Sequence, residues 1–286
     1  MTEAHGGYYV PHGSHWPLVG SVGLTTLVVG FAMHLNGSDM GLSTMFAGVA
    51  IVLIMMFGWF GTVIRESEAH MYNDQVDKSF RWGMGWFIFS EVMFFAAFFG
   101  ALFYARILSV PWLGGEDAST HALLWQGYSA AWPTNGPAGM GGTFETVGAW
   151  GIPAINTLIL LSSGVTVTFA HWALKKNNRG PLVGWLFATV ALGFLFIGLQ
   201  AYEYGHAYSD LNLTLESGVY GSTFYMLTGF HGMHVTIGAI MLAIIMLRSI
   251  RGHFSPDRHF AFEAVAWYWH FVDVVWLGLF IFVYWL

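Results

Sequence analysis

Four carboxylic acids lie in or at the ends of long apolar runs, where a charged group is costly. They are Glu91, Glu203, Glu263 and Asp273. A charged side chain at the centre of a membrane helix costs roughly 2.5–3.5 kcal/mol on insertion scales. Each acid therefore needs a hydrogen-bonding partner, a proton or a water-lined cavity.

Glu91 is the most informative of these acids. It lies well inside its apolar run, and Phe87, Phe94 and Phe95 are its neighbours on a helix. An apolar surrounding of this kind favours the neutral acid over the carboxylate. Two interpretations of this buried carboxyl stay open: a protonated group that donates one structural hydrogen bond, or a group with a functional role.

Further polar residues follow helical spacing in the last two apolar runs. Glu263, His270 and Asp273 are spaced to share one helical face, and His231 and His234 are adjacent on the preceding helix. A face of this kind is not expected to lie against lipid. These five residues predict an intramembrane polar seam, either as hydrogen bonds between helices or as part of a proton route.

The same histidines do not predict a metal centre. Their number and spacing do not meet the needs of paired haem ligands or of a clustered di-iron site, and only Glu203 to His206 fits a Glu-x-x-His pair. The chain has no cysteine, which excludes thiolate zinc, iron–sulfur and covalent c-type haem sites. We therefore expect no metal ligands in this chain.

The composition predicts that membrane-spanning helices position these residues. Of 286 residues, only 9% are charged and 56% are apolar, whereas an ordinary soluble domain carries about 25% charged residues. The chain is therefore predicted to be a single all-α membrane domain, 1–286. The net charge of −6 gives no electrostatic basis for a nucleic-acid partner.

Seven runs are long enough to cross a bilayer, at about 17–35, 41–64, 82–108, 148–172, 182–205, 219–247 and 260–285.

The basic residues predict the orientation of the seven helices. Nine of the ten Lys and Arg residues fall in alternate connections, after the second, fourth and sixth runs, and only Arg106 lies on the other side. The positive-inside rule then places the N-terminus inside and the C-terminus outside. The long connection at about 109–147 lies outside, and its glycines and prolines favour turns over a helix. Its three tryptophans favour the membrane surface, although a mobile loop is an alternative.

Several runs of the sequence resemble subunit III of cytochrome c oxidase, the haem–copper respiratory oxidase. The resemblance covers most of the chain from the third helix onward, and spans one and two match through HWP at 15–17 and VIRE at 63–66. The matching runs are SEVMFF around Glu91, PAINTLILLSSGVTVTFAH at 153–171, QAYEY at 200–204, GVYGSTFYMLTGFHGMHV at 218–235 and HFAFEAVAWYWHFVDVVWL at 259–277.

The resemblance implies a fold and a set of partners. It implies a first helix pair, 1–66, and a five-helix bundle, 67–286, which together form a V-shaped cleft that holds phospholipids. It implies that this chain binds no haem or copper, which belong to partner subunits, and that it packs directly against subunit I in a complex with subunit II. The resemblance also implies a role in respiratory electron transport as a non-redox accessory subunit that stabilises the catalytic subunit and supports proton uptake.

The resemblance also assigns residues. Lipid head groups are expected at Trp59, Arg65, Glu66, His70 and Arg248, with Glu91 as the carboxyl that lines the cleft. Arg65 and Arg248 lie on the predicted inner side, where cations meet phosphates. The sequence departs from the family at 60–62, which reads Phe-Gly-Thr where many members have Trp-Arg-Asp, and His-Met-Tyr at 70–72 replaces the usual His-Thr-Pro.

Two further expectations concern source and function. The long outer connection favours the bacterial inner membrane over the mitochondrial one, and seven helices favour a cytochrome c-oxidising complex over a quinol oxidase. The alternative function is a proton-coupled membrane transporter that uses Glu91 and the polar face of the last helix. Transporters commonly show inverted repeats and broken helices, and neither is evident in this sequence.

Overall fold

The computed structural model describes Tyr9 and residues 13–286 of the chain. In that part of the chain all regular structure is helical, and seven helices are long and apolar enough to cross a membrane. The predicted all-α membrane fold with seven spans is confirmed. The helices are α1 Trp16–Leu35, α2 Gly41–Glu68, α3 Asp74–Phe103, the short α4 Ala118–Leu123, α5 Ile152–Lys175, α6 Arg179–Ser209, α7 Gly218–Arg251 and α8 Phe260–Leu279.

The chain divides into two compact units, Met1–Trp82 and Gly83–Leu286. The boundary falls inside α3, whereas the resemblance divides the chain after residue 66. The division of the chain into a first helix pair, 1–66, and a five-helix bundle, 67–286, stays a prediction, as does the V-shaped lipid cleft.

Glycines allow α1 and α2 to pack closely in the first unit. A Cβ at Gly30 would overlap the backbone of Met45, and one at Gly48 would overlap the backbone of Leu27. Such small residues let two membrane helices approach without side chains between them. Most other side chains of this hairpin are exposed on the chain itself, as expected for helices whose solvent is lipid.

The third span begins earlier than the sequence predicted. Its expected start was near residue 82, but α3 begins at Asp74, and Asn73 Oδ1 accepts a hydrogen bond from the Val76 N–H at 3.0 Å. Asp74 and Asp77 lie in the first turn, where carboxylates favour the positive end of the helix dipole. The hydropathy pattern missed the first two turns because most of their residues are polar or charged.

The predicted turn-rich connection at 109–147 is partly wrong. After α3 the chain continues in π-helical turns, Tyr104–Ser109 and Trp112–Glu116, and α4 follows. Asp117 caps α4 by accepting a hydrogen bond from the Thr120 N–H at 2.7 Å. The prediction failed because most of the glycines and prolines that favour turns lie further on, at 133–142.

The rest of this connection, 124–151, is irregular but held by hydrogen bonds. The Glu145 N–H donates to the Leu211 carbonyl at 2.9 Å, and Asn212 Nδ2 donates to the Thr143 carbonyl at 2.8 Å. Trp132 packs edge-on against Tyr220, with ring centroids 5.7 Å apart. The connection therefore lies against the α6–α7 turn and the start of α7.

The second unit is built around α8, the most deeply buried of the spans. It packs against α5 and α7, and α6 packs against both α5 and α7. The Trp269 indole donates to Ser163 Oγ at 2.8 Å, and the Trp276 indole donates to Thr157 Oγ1 at 2.9 Å. These bonds fix α8 against α5 and position the polar residues of the two helices. The last π-helical segment, Phe280–Trp285, continues α8 to the end of the chain.

Candidate functional site

Glu91 and His234 form a contact between α3 and α7. Glu91 Oε2 lies 2.9 Å from His234 Nε2, and the side chains are 21% and 7% exposed. Phe94 and Phe95 pack on the imidazole with centroids 5.8 and 5.0 Å away. The Glu91 carboxyl, predicted from sequence to be buried, is partly exposed on the isolated chain and has a specific partner 143 residues away.

The protonation of this pair follows from the other ring nitrogen of His234. His234 Nδ1 lies 2.6 Å from the Phe230 carbonyl oxygen, which can only accept, so Nδ1 must carry a hydrogen. In a neutral imidazole, Nε2 is then the acceptor, and Glu91 must donate to it as a carboxylic acid. The alternative state moves that same proton to Nε2 and gives an ion pair. In both states a single proton lies between Glu91 and His234.

His231 has a different environment although it is only one helical turn away. Its Nε2 donates to the Val272 carbonyl at 3.1 Å, which ties α7 to α8. The ring is fully buried, with the Trp276 ring centroid 5.1 Å away and the Phe196 ring centroid 5.8 Å away. His231 and His234 therefore do not point at a shared ligand.

Among the described residues, the most deeply buried acid is Glu203 of α6, which the sequence identified as an acid that needs a partner, a proton or a water-lined cavity. Glu203 Oε1 accepts a hydrogen bond from the Tyr284 hydroxyl at 2.7 Å. Tyr204 beside it shares a 2.6 Å hydrogen bond with Thr228 of α7. Sequence reasoning missed Tyr284 because a tyrosine among the apolar residues of the last span gives no signal of its own.

The three polar residues predicted to share one face of α8 lie in two separate places, with His270 and Asp273 in one and Glu263 in the other. Asp273 is buried against Gly164, where a Cβ would overlap its Oδ2, and His270 Nδ1 lies 3.7 Å from the Asp273 carboxylate. The His270 side chain is 47% exposed on this chain, and its Nε2 lies 3.4 Å from Thr168 Oγ1. The intramembrane polar seam stays a prediction; its five residues are His231, His234, Glu263, His270 and Asp273.

Glu263 lies at the other place, with two histidines that the sequence did not single out. His171 near the end of α5 and His259 just before α8 approach Glu263 Oε1 with Nε2 atoms 3.4 and 3.3 Å away. The two Nε2 atoms are 3.2 Å apart. The i, i+4 spacing of His259 and Glu263 was the available sequence signal, whereas His171 is 88 residues away.

The residues assigned to lipid in the first unit lie at the end of α2. Arg65 is exposed in the last turn and donates to Thr62 Oγ1 at 3.3 Å, and Trp59 is 43% exposed. The Tyr72 hydroxyl donates to Glu66 Oε2 at 2.7 Å. Burial and this hydrogen bond raise the pKa of Tyr72 above its usual value. His70 follows the helix in the left-handed region at φ 56° and is exposed.

Arg248 differs from Arg65 because it is buried. It lies in the last turn of α7 with 7% exposure, and its guanidinium carbon is 4.6 Å from the Phe254 ring centroid. A guanidinium over an aromatic face is favourable when desolvated. This contact holds the α7–α8 connection, and it leaves less of Arg248 available to a lipid phosphate than of Arg65.

The comparison with known sequences covers the whole of this arrangement. A sequence model of the family described as Cytochrome c oxidase subunit III matches residues 6–286. The chain belongs to the cytochrome c oxidase subunit III family. Proteins named Cytochrome c oxidase subunit 3 are 40% identical in Gadus morhua over 289 residues and 43% identical in Marchantia polymorpha over 274 residues. The first alignment covers 100% of this chain and 99% of its relative, and the second covers 95% and 93%.

Membership in the subunit III family confirms the resemblance drawn from the sequence motifs. It makes this chain a membrane subunit of cytochrome c oxidase and implies partner subunits in that respiratory complex. The matched residues include Glu91, His234 and the cluster of His171, His259 and Glu263.

Proposed function

We propose that this subunit III is a non-redox accessory subunit of a proton-pumping oxidase that transfers electrons from cytochrome c to oxygen. In this proposal it binds no haem or copper, packs directly against subunit I beside subunit II, holds phospholipids and supports proton uptake. It stabilises the catalytic subunit instead of taking part in electron transfer.

The main support for a non-redox role is the set of contacts that the two histidines of α7 make within the chain. An axial haem ligand needs an available ring nitrogen that faces an open space. His231 Nε2 donates a hydrogen bond to the Val272 carbonyl, and the ring is enclosed by Trp276 and Phe196. His234 has one nitrogen on the Phe230 carbonyl and the other on Glu91. Both histidines serve packing within the chain, which supports a non-redox role.

Direct packing against subunit I is supported by His270. This histidine lies near the middle of the last span, and almost half of its side chain is exposed on the isolated chain. Polar groups at that depth are expensive in lipid and usually face protein or water. A partner subunit that covers the exposed face of His270 and Thr168 would remove that cost.

Phospholipid binding is proposed for Trp59, Arg65, Glu66, His70 and Arg248. Exposed Arg65 at the end of an apolar helix is suited to a phosphate, and Trp59, earlier on the same helix, is suited to the interface. The orientation with the N-terminus inside, together with a bacterial inner membrane, completes the proposal. It rests on the basic connections and on the length of the outer connection.

The oxidase purified with and without this chain tests the accessory role. The depleted complex should keep its visible haem spectrum but lose turnover number or working lifetime, and the isolated chain should be colourless. A depleted enzyme with the full turnover number and lifetime at every pH would contradict the proposal.

Lipid binding has its own test in the intact complex. Arg65→Ala should lower the phospholipid that co-purifies with the complex and shorten its life during turnover. Lys176→Ala, which removes an exposed cation in another basic connection, is the matched control and should leave both unchanged. Equal lipid content in the two variants would count against an assignment to Arg65.

A further inference from the structure

The three ligand atoms of His171, His259 and Glu263 form a nearly equilateral triangle. The sides are 3.2 Å between the two Nε2 atoms, and 3.3 and 3.4 Å from these atoms to Glu263 Oε1. Two imidazoles and one carboxylate are a common protein ligand set for zinc. The triangle joins the end of α5 to the start of α8, outside the Glu91–His234 contact.

The size of the triangle fits one coordination geometry better than another. A tetrahedral ion with bonds of 2.0–2.1 Å separates its ligand atoms by roughly 3.3 Å. An octahedral ion with bonds of similar length would separate adjacent ligands by roughly 3.0 Å. The observed sides of 3.2, 3.3 and 3.4 Å match the tetrahedral face.

A second observation concerns the orientation of His259. Its Nδ1 lies 3.0 Å from the Ser255 carbonyl oxygen, which can only accept, so Nδ1 carries the hydrogen. In the neutral ring, Nε2 then presents a lone pair to the triangle. Metal-binding histidines usually donate their other ring N–H to a carbonyl or carboxylate in this way.

Hydrogen bonding alone accounts poorly for the triangle when both histidines are neutral. His259 Nε2 then has no hydrogen, and the one hydrogen that His171 Nε2 can carry satisfies only one of the three contacts. With Glu263 ionised, the contact between His259 Nε2 and Glu263 Oε1 then sets two acceptor atoms against each other at 3.3 Å. A cation at the centre of the face removes this repulsion, whether it is an added proton or a metal ion.

We propose that His171, His259 and Glu263 bind a zinc ion between the end of α5 and the start of α8. Three protein ligands leave a fourth position for water, as in zinc sites that keep an open coordination position. Zinc has no redox chemistry, so the site is compatible with a subunit that carries no electrons. It revises the expectation that this chain has no metal ligands, and it would link α5 to α8.

Zinc content of the intact oxidase complex tests the proposal. The complex is treated with a chelator, equilibrated with zinc chloride and analysed for zinc per haem. Wild type should bind one more zinc per complex than His171→Gln, His259→Gln or Glu263→Gln, or bind it at least roughly tenfold more tightly. His206→Gln is the control, because His206 lies outside the triangle and contacts the Asp210 carboxylate, and it should bind as wild type does.

A measurement on the unaltered complex guards against variants that fail to assemble. Crystals of wild-type complex equilibrated with zinc should show an anomalous peak at the zinc edge between the two Nε2 atoms and Glu263. A peak there supports the site. Equal zinc binding by all variants, or no peak at this position, would overturn the proposal and leave a protonated histidine–carboxylate cluster.

Discussion

Replacement of Glu91 by Ala should weaken the packing of α3 on α7, whereas replacement by Gln should not. The His234 ring is held by the Phe230 carbonyl, so its Nε2 must face position 91. Ala leaves this nitrogen among Phe94 and Phe95 without its partner, which costs about 1–3 kcal/mol for a buried polar group. The Gln amide can donate to Nε2 in place of the carboxyl, so Glu91→Gln should cost less than about 1 kcal/mol.

The free energy of unfolding of the purified chain in mixed detergent micelles, followed by tryptophan fluorescence, measures this difference. A cycle of Glu91→Ala, His234→Ala and the double variant isolates the coupling between the two side chains. Glu145→Ala, which removes an exposed acid from the same unit, is the control. Equal losses for Glu91→Ala and Glu91→Gln, or a coupling near zero, would refute the assignment of the hydrogen bond.

Three further outcomes follow from the other contacts. A hydrophobic carbodiimide should modify Glu91 before water-exposed acids such as Asp74, because it attacks neutral carboxyls; mass spectrometry of the peptides checks this, and preferential labelling of Asp74 would contradict it. Tyr284→Phe should lower the free energy of unfolding by about 1–3 kcal/mol, because buried Glu203 loses its hydrogen-bond donor; no change in denaturant midpoint would count against it. Tyr72 should ionise above the usual pH for tyrosine, because burial and a carboxylate partner raise its pKa. An ultraviolet difference titration between wild type and Tyr72→Phe measures this, and ionisation near pH 10 would oppose it.

Much of the fold could be predicted because a bilayer requires long apolar helices and favours basic residues on one side of the membrane. All seven spans were found this way, and α1 begins within one residue of its predicted start. The start of α3 was missed because hydropathy registers the apolar part of a helix and not its polar first turns. The helical part of the outer connection was missed because its composition was averaged over residues that do not share a conformation.

The pairing of polar residues could be predicted only in part. Helical spacing placed Glu263, His270 and Asp273 on one face of α8, but spacing within one helix does not reveal which neighbour each residue meets. His171 lies 88 residues from His259, and Glu91 lies 143 residues from His234. These contacts depend on how α3, α5, α7 and α8 pack, and the packing is set by many apolar side chains together.

The Glu91–His234 contact constrains how this subunit could support proton uptake. A histidine relays a proton by accepting at one ring nitrogen and releasing from the other. His234 Nδ1 donates to the Phe230 carbonyl, and a backbone carbonyl cannot take the proton onward. The proton can therefore move between Glu91 and Nε2 but cannot leave through the far side of the ring unless the hydrogen bond to Phe230 breaks. The same bond weakens the alternative of a proton-coupled transporter that uses Glu91. In the proposed accessory role, the pair keeps α3 against α7 without itself conducting protons.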